Sequence, residues 1–91
     1  MKKELTLADI RKALKETQYP SVWEKTDVMS DEKLRKSRFY TDFSMDSLDV
    51  IELTMCLERD LGASIPDNAL STFSHKGGTV QAMIEAFNDN L

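Results

Sequence analysis

Residues 42–61 read Asp-Phe-Ser-Met-Asp-Ser-Leu-Asp-Val-Ile-Glu-Leu-Thr-Met-Cys-Leu-Glu-Arg-Asp-Leu, and the way this stretch divides its apolar side chains decides the fold. The spacing predicts a helix that begins at Asp46 or Ser47 and ends at Leu61-Gly62. Asp46 is a suitable N-cap, Asp49 suits the positive end of the helix dipole, and Gly62 is a C-terminal breaker. At about 100° per residue, Val50, Leu53, Leu57 and Leu61 share one stripe that should face a core. Leu48, Ile51 and Met55 fall on roughly the opposite side, among Glu52, Glu58 and Arg59. A helix packed on one side only has no need of that second group. From Asp42 to Asp60 the stretch also carries six acidic side chains against one base, Arg59.

Outward from this helix the pattern stays helical. Thr6 followed by Asp9 resembles a capping box, Leu5 with Ile10 fits a hydrophobic staple, and Leu7, Ile10 and Leu14 predict an amphipathic helix over 7–17 with Arg11, Lys12 and Lys15 on its wet side. Tyr19-Pro20-Ser21 breaks it. Residues 18–41 then form a long connection without sustained periodicity, in which Ser30 to Leu34 is expected to make a turn or two of helix. Val22, Trp23, Val28, Met29, Leu34 and Phe39 are its apolar anchors, and Trp23 is read as an anchor sooner than as a recognition aromatic. Ile65-Pro66-Asp67-Asn68-Ala69-Leu70 opens a short helical piece, Pro being favoured in a first turn. After Ser74-His75-Lys76-Gly77-Gly78, Thr79 caps a last helix with Val80, Met83, Ile84, Phe87 and Leu91 on one face. No alternating strand pattern appears. The expected class is all-α, a small four-helix bundle of three main helices and a short third one, with a long loop between helices 1 and 2, and residues 1–91 are read as one domain.

Composition narrows the function classes. With 41% apolar and 31% charged residues the chain has the balance of a soluble globular protein. One cysteine, Cys56, permits no internal disulfide, and Asp9 interrupts the segment after Lys2-Lys3 before a signal-peptide core can form, so a cytoplasmic location is expected. No apolar run is long enough for a membrane span. Residues 1–41 carry ten Lys/Arg and seven Asp/Glu, whereas 42–91 carry two and nine. An acidic half disfavours nucleic acid, and it is either a solvated face or a surface for partners with basic patches.

Enzyme and metal chemistry find little support. The one histidine, His75, lies in a glycine-containing loop, and no spacing supplies Ser47 with an oriented base. His/Cys metal sites fail for want of ligands. Asp42, Asp46 and Asp49 do not make a calcium loop, because Leu53 stands where the closing glutamate belongs. Gly77-Gly78 is not a phosphate-loop motif, and Cys56 is read as a buried helix residue. No catalytic residue and no metal ligand is expected.

Asp42-Phe43-Ser44-Met45-Asp46-Ser47-Leu48-Asp49-Val50-Ile51-Glu52-Leu53 closely resembles the attachment motif of acyl carrier proteins, an Asp-Leu-Gly-x-Asp-Ser-Leu-Asp pattern followed by an acidic helix. Leu61-Gly62-Ala63-Ser64-Ile65-Pro66-Asp67 looks like that family's link into its short third helix, and Thr79-Val80 like the start of its last. The resemblance covers residues 37 to 91 well and the first helix loosely. It implies that a phosphopantetheinyl transferase, using coenzyme A and Mg2+, attaches 4'-phosphopantetheine to Ser47, flanked by Asp46 and Leu48, and that acyl groups ride as thioesters on the arm. It further implies docking of acyltransferase, ketosynthase or acyl-ligase type enzymes through Asp46, Leu48, Asp49, Glu52, Met55, Glu58 and Asp60. The expected protein is a discrete, monomeric, non-enzymatic acyl carrier for fatty acid, polyketide or related lipid biosynthesis; the alternative is a helical adaptor of the same fold without a prosthetic group. Val50, Leu53, Leu57, Ile65, Phe73, Val80 and Ile84 either line an acyl-chain site or simply pack the core. The sequence departs from the family at Ser44, where glycine is usual, and at Arg59, where an acid is common. Tyr19 to Lys25 looks extra, and His75 to Gly78 resembles an insertion.

Overall fold

A computed structural model describes residues 4–91 as seven helices: α1 (Leu7–Thr17), α2 (Pro20–Asp27), α3 (Asp31–Lys36), α4 (Phe39–Asp42), α5 (Ser47–Leu61), α6 (Asp67–Leu70) and α7 (Val80–Asn88). Lys2 and Lys3 lie outside the described residues. The first helix starts as its sequence dictates. The Thr6 hydroxyl accepts the Asp9 N–H at 3.3 Å and the Asp9 carboxylate accepts the Thr6 N–H at 3.0 Å, a complete capping box. Leu5 and Ile10 are both buried beside it, as the staple requires. α1 packs on α5 and α2, while α3 and α6 pack on α7.

The all-α class and the long first connection hold, but the connection is folded rather than irregular. Pro20, expected to act only as a breaker, is the first residue of α2. Its missing N–H is one that a helix start leaves unpaired anyway, and its fixed φ suits that position. None of α2, α3 and α4 buries a broad apolar stripe, so their order comes from side chains elsewhere. The Arg11 guanidinium donates to the carbonyls of Thr26 and, at 2.9 Å, Met29, and pairs with Asp31 at 3.0 Å. Lys15 pairs with Asp27 at 3.1 Å and stands 5.5 Å from the centre of the half-buried Trp23 ring. Lys12 and Lys15 are exposed, as expected of a wet face, and Arg11 is half-buried; Arg11 and Lys15 also fasten the connection to α1.

The core joins these elements through four fully buried phenylalanines, Phe39, Phe43, Phe73 and Phe87, with Ile10, Leu14, Leu34, Val50, Leu53, Leu57, Val80 and Met83. α5 ends at Gly62, whose φ of 64° lies in the left-handed region, and the Ala63 N–H then closes on the Glu58 carbonyl at 3.0 Å. Pro66 stands at the N-cap of α6, one residue ahead of its first turn. The Thr79 hydroxyl caps α7 by accepting the Ala82 N–H at 3.1 Å, and Leu91 lies half-buried beyond the helix end. Asn88 ties the two ends of the described chain together, its Oδ1 accepting the Leu5 N–H at 2.7 Å. Among the described residues no helix is long and apolar enough to cross a membrane.

The loop His75 to Gly78 is stitched to the first connection. The Phe39 N–H donates to the Gly78 carbonyl at 3.2 Å, the Val80 N–H to the Ser37 carbonyl at 3.0 Å, and the Tyr40 hydroxyl to the Ser74 carbonyl at 3.3 Å. Arg38 and Thr79 form an isolated antiparallel bridge at the same place. A Cβ on Gly78 would lie 1.8 Å from the Phe73 carbonyl oxygen, whereas one on Gly77 would meet only the His75 side chain at 3.3 Å. Gly78→Ala is therefore expected to lower stability by about 2–3 kcal/mol, through forced displacement of backbone, and Gly77→Ala by no more than about 0.5 kcal/mol. Urea unfolding of the two variants checks both values.

Candidate functional site at the start of the acidic helix

The N-terminus of α5 is fixed by two reciprocal hydrogen bonds. Asp46 Oδ1 accepts the Asp49 N–H at 2.9 Å and Asp49 Oδ2 accepts the Asp46 N–H at 3.2 Å. The Val50 N–H goes to the Asp46 carbonyl at 3.1 Å. Among the described residues the N–H groups of Ser47 and Leu48 have no acceptor, and no side chain hydrogen-bonds the Ser47 hydroxyl. Ser47, Leu48 and Asp46 are all exposed. The site thus offers a free hydroxyl beside unpaired N–H groups at the positive end of a helix dipole, with two carboxylates close by.

The loop before Ser47 is anchored from below. Phe43 and Met45 are buried, Phe43 meets Phe39 edge to face at 6.4 Å between ring centres, and the Met45 N–H donates to the Phe39 carbonyl at 3.1 Å. Asp42, the first acid of the stretch, accepts the Arg38 N–H at 2.7 Å and so caps α4. His75 is occupied in its own loop. Its Nδ1 accepts the Gly77 N–H at 3.1 Å, which leaves Nε2–H to donate to the Thr72 carbonyl at 3.1 Å. It makes no contact with Ser47 among the described hydrogen bonds.

Away from the core, Leu48 is 67% exposed and Met55 61%, with Ile51 at 37%. The two apolar groups on α5 are separated as their spacing predicts, except that Leu61, at the helix end, is only half-buried. The acids named from the sequence divide by use. Glu52 is exposed and, among the described residues, has no hydrogen-bond or ion-pair partner. Asp49 belongs to the capping box. Glu58 is half-buried and its carboxylate accepts the Ile65 N–H at 2.8 Å, which holds the link from α5 to α6. Asp60 lies beside Arg59, 3.5 Å from its Nε. That Glu58 helps shape the turn was not visible in the sequence, since it depends on where residue 65 returns.

Arg59 also reaches Glu16 of α1 at 3.4 Å and the Cys56 sulfur at 3.4 Å. Cys56 donates its thiol hydrogen to Glu16 at 3.2 Å. Burial, followed by that hydrogen bond and the charges of Asp60 and Glu16, pushes its pKa up to about 11. At neutral pH the thiol is a buried donor, not a nucleophile. Glu16, Cys56 and Asp60 place possible ligand atoms within 4.8 Å of one another, a grouping hidden in the sequence because Glu16 comes from α1. Arg59 supplies the cation of this cluster.

Ser44, where the sequence departs from glycine, has a φ of 56° and is the one positive-φ non-glycine residue among the described ones. In this left-handed conformation a Cβ crowds the following carbonyl. Ser44→Gly relieves that strain but gains unfolded-state entropy, for a net stabilisation of about 0.5–1 kcal/mol. The melting temperature is expected to rise by roughly 2–6 °C, measurable by calorimetry.

Comparison with known proteins converges on the same segment. The sequence profile of the family described as "Phosphopantetheine attachment site" matches residues 26–87. Acyl carrier proteins from three strains of Clostridium perfringens (SM101, ATCC 13124 and strain 13) are each 39% identical over 62 residues, covering 68% of this chain and 82% of theirs. No solved structure matches the chain. By profile and by identity the chain belongs to the phosphopantetheine-attachment family of acyl carrier proteins, and its cofactor is covalently attached 4'-phosphopantetheine.

Proposed function

We propose that Ser47 is the attachment residue and that the chain carries acyl intermediates as thioesters, in fatty acid, polyketide or related lipid biosynthesis. The observation that carries this reading is the exposed Ser47 hydroxyl on the first turn of α5, beside the unpaired N–H groups of Ser47 and Leu48. A phosphodiester on Ser47 Oγ fits this donor set. The helix terminus favours it by about 0.3–1 kcal/mol, and the carboxylates of Asp46 and Asp49 oppose it. The attached group supplies a terminal thiol for thioester formation; the chain's residues supply the anchor, its orientation and the surface around it. Among the described residues no side chain hydrogen-bonds the Ser47 hydroxyl, and the nearby carboxylates of Asp46 and Asp49 are engaged in the capping box, so deprotonation of the hydroxyl falls to a phosphopantetheinyl transferase acting with coenzyme A and Mg2+. On this reading the chain is one carrier domain, non-enzymatic and monomeric, working in the cytoplasm.

The exposed face of α5 supports a docking role for the transferase and for acyltransferase, ketosynthase or acyl-ligase type partners. Leu48 and Met55 offer apolar contacts, and Asp46, Asp49 and Glu52 offer negative charge to a basic patch. Glu58 and Asp60, engaged with Ile65 and Arg59, contribute field more than direct pairing. Rim charges steer encounter and a few apolar contacts add modest affinity, which suits a carrier that must leave quickly.

Intact-mass analysis after incubation with coenzyme A, Mg2+ and a broad-specificity transferase tests the attachment. One phosphopantetheine is expected on the wild type and none on Ser47→Ala; an unmodified wild type would sink the proposal and favour a prosthetic-group-free adaptor. Glu52→Lys is expected to slow loading roughly 3–10-fold at low salt, the effect of about 1 kcal/mol of lost attraction, with the gap closing as salt rises. Because Glu52 has no hydrogen-bond or ion-pair partner among the described residues, the melting temperature of this variant should not move. Equal loading rates at low salt would count against the docking face.

A further inference from the structure

Arg59 lies on the line that partners would follow, and this inference rests on the docking reading above. Leu48, Glu52, Met55 and Arg59 recur at i, i+4, i+7 and i+11, which places them within roughly 60° of one another on a line about 16 Å long. Charge along it is not uniform. The end at Ser47 carries Asp46, Asp49 and Glu52, and the far end carries Arg59, its side chain 70% exposed. The acids that touch Arg59 lie toward α1, with Glu16 at 3.4 Å and Asp60 at 3.5 Å. Such long, exposed pairs are weak and leave the guanidinium available. Glu58, on the other flank, is held by the Ile65 N–H. An open groove of about 660 Å³, lined by Glu16, Thr17, Glu52, Met55, Cys56 and Arg59, gives a partner side chain room beside it.

We propose that Arg59 selects the partner: the surface that fits sets cations against Asp49 and Glu52, an apolar socket against Leu48 and Met55, and a carboxylate against Arg59. Glu16, Glu58 and Asp60 keep the wider field at that end negative, but a base set directly on the line meets the like charge of the guanidinium, so the arginine acts as the repulsive element of a specificity device at that contact. The same polarity fixes direction. A partner docked head to tail would face repulsion at both ends, so Ser47 is always presented at the same end of the partner's patch.

A reciprocal charge scan tests this. A broad-specificity transferase is changed one residue at a time from Lys or Arg to Glu across its basic face. Each variant then loads the wild-type carrier, Arg59→Gln and Arg59→Glu at low salt, and circular-dichroism melts confirm that the carriers are folded. With the parental transferase, Arg59→Glu should load about threefold faster or more than the wild type. At least one transferase variant should reverse that order by a similar factor, the size expected of a direct contact. If all three carriers load at equal rates with every transferase, the role of Arg59 is overturned while the attachment reading stands. If no carrier is loaded by any transferase, the attachment reading fails and this inference falls with it.

Discussion

The backbone of Phe39 is fixed on both sides, and the placement of Ser47 depends on it. Its N–H donates to the Gly78 carbonyl and its carbonyl accepts the Met45 N–H, while its ring is fully buried against Phe43. Two loops distant in sequence, one before α5 and one before α7, are thereby joined through a single residue. Burying that ring contributes on the order of 2–3 kcal/mol, and it keeps both peptide hydrogen bonds away from competing water. Phe43 and Met45 are buried beneath the loop, and Ser44 between them takes a left-handed conformation while Ser47 stays at the surface.

The acidic helix shows how one kind of charge serves several purposes. A carboxylate that accepts a backbone N–H is part of the fold: Asp46 and Asp49 start α5, Asp42 caps α4, and Glu58 holds the turn into α6. Each still contributes negative potential to the surface, because accepting a hydrogen bond does not remove the charge. The field therefore survives while the freedom of the side chains is reduced. Only Glu52 among the expected docking acids stands unengaged in the described structure, so its side chain keeps the most freedom.

Much of this fold was legible because its signals are local. Thr6 with Asp9, Asp46 with Asp49, Thr79 and Gly62 announce helix ends through bonds within a few residues, and the helices they bound lie where the spacing puts them. In the first connection the turn of helix expected from Ser30 to Leu34 is present as α3, capped by Ser30, but α2, α4 and the way the connection is held were not legible because that order is supplied from outside. α2 and α3 are fastened by Arg11 and Lys15 reaching across from α1 over ten or more residues of sequence. Neither periodicity nor composition within 18–41 encodes that. Tertiary pairing also decided the fates of Glu58, Cys56 and Glu16. The attachment motif was readable as a pattern, but the strain at Ser44 emerged only from its backbone angle.

The surroundings of Ser47 bear on how tightly an attached phosphate would be held. The unpaired N–H groups of Ser47 and Leu48 attract it, worth about 0.3–1 kcal/mol at an exposed helix end. Asp46 and Asp49 repel it, and at exposed positions in water each such charge acts with a comparable strength of about 1 kcal/mol or less. No lysine or arginine belongs to the first turn of α5, where one would tip the balance toward capture. With Ser47 as the proposed attachment residue, repulsion offsets the attraction and would leave the phosphate unclamped, so that a tethered group could sample many directions. On the proposed reading such a carrier divides the work: the buried Phe39 and Met45, joined by a backbone hydrogen bond, anchor the loop before Ser47, and the motion is left to the group beyond the serine oxygen.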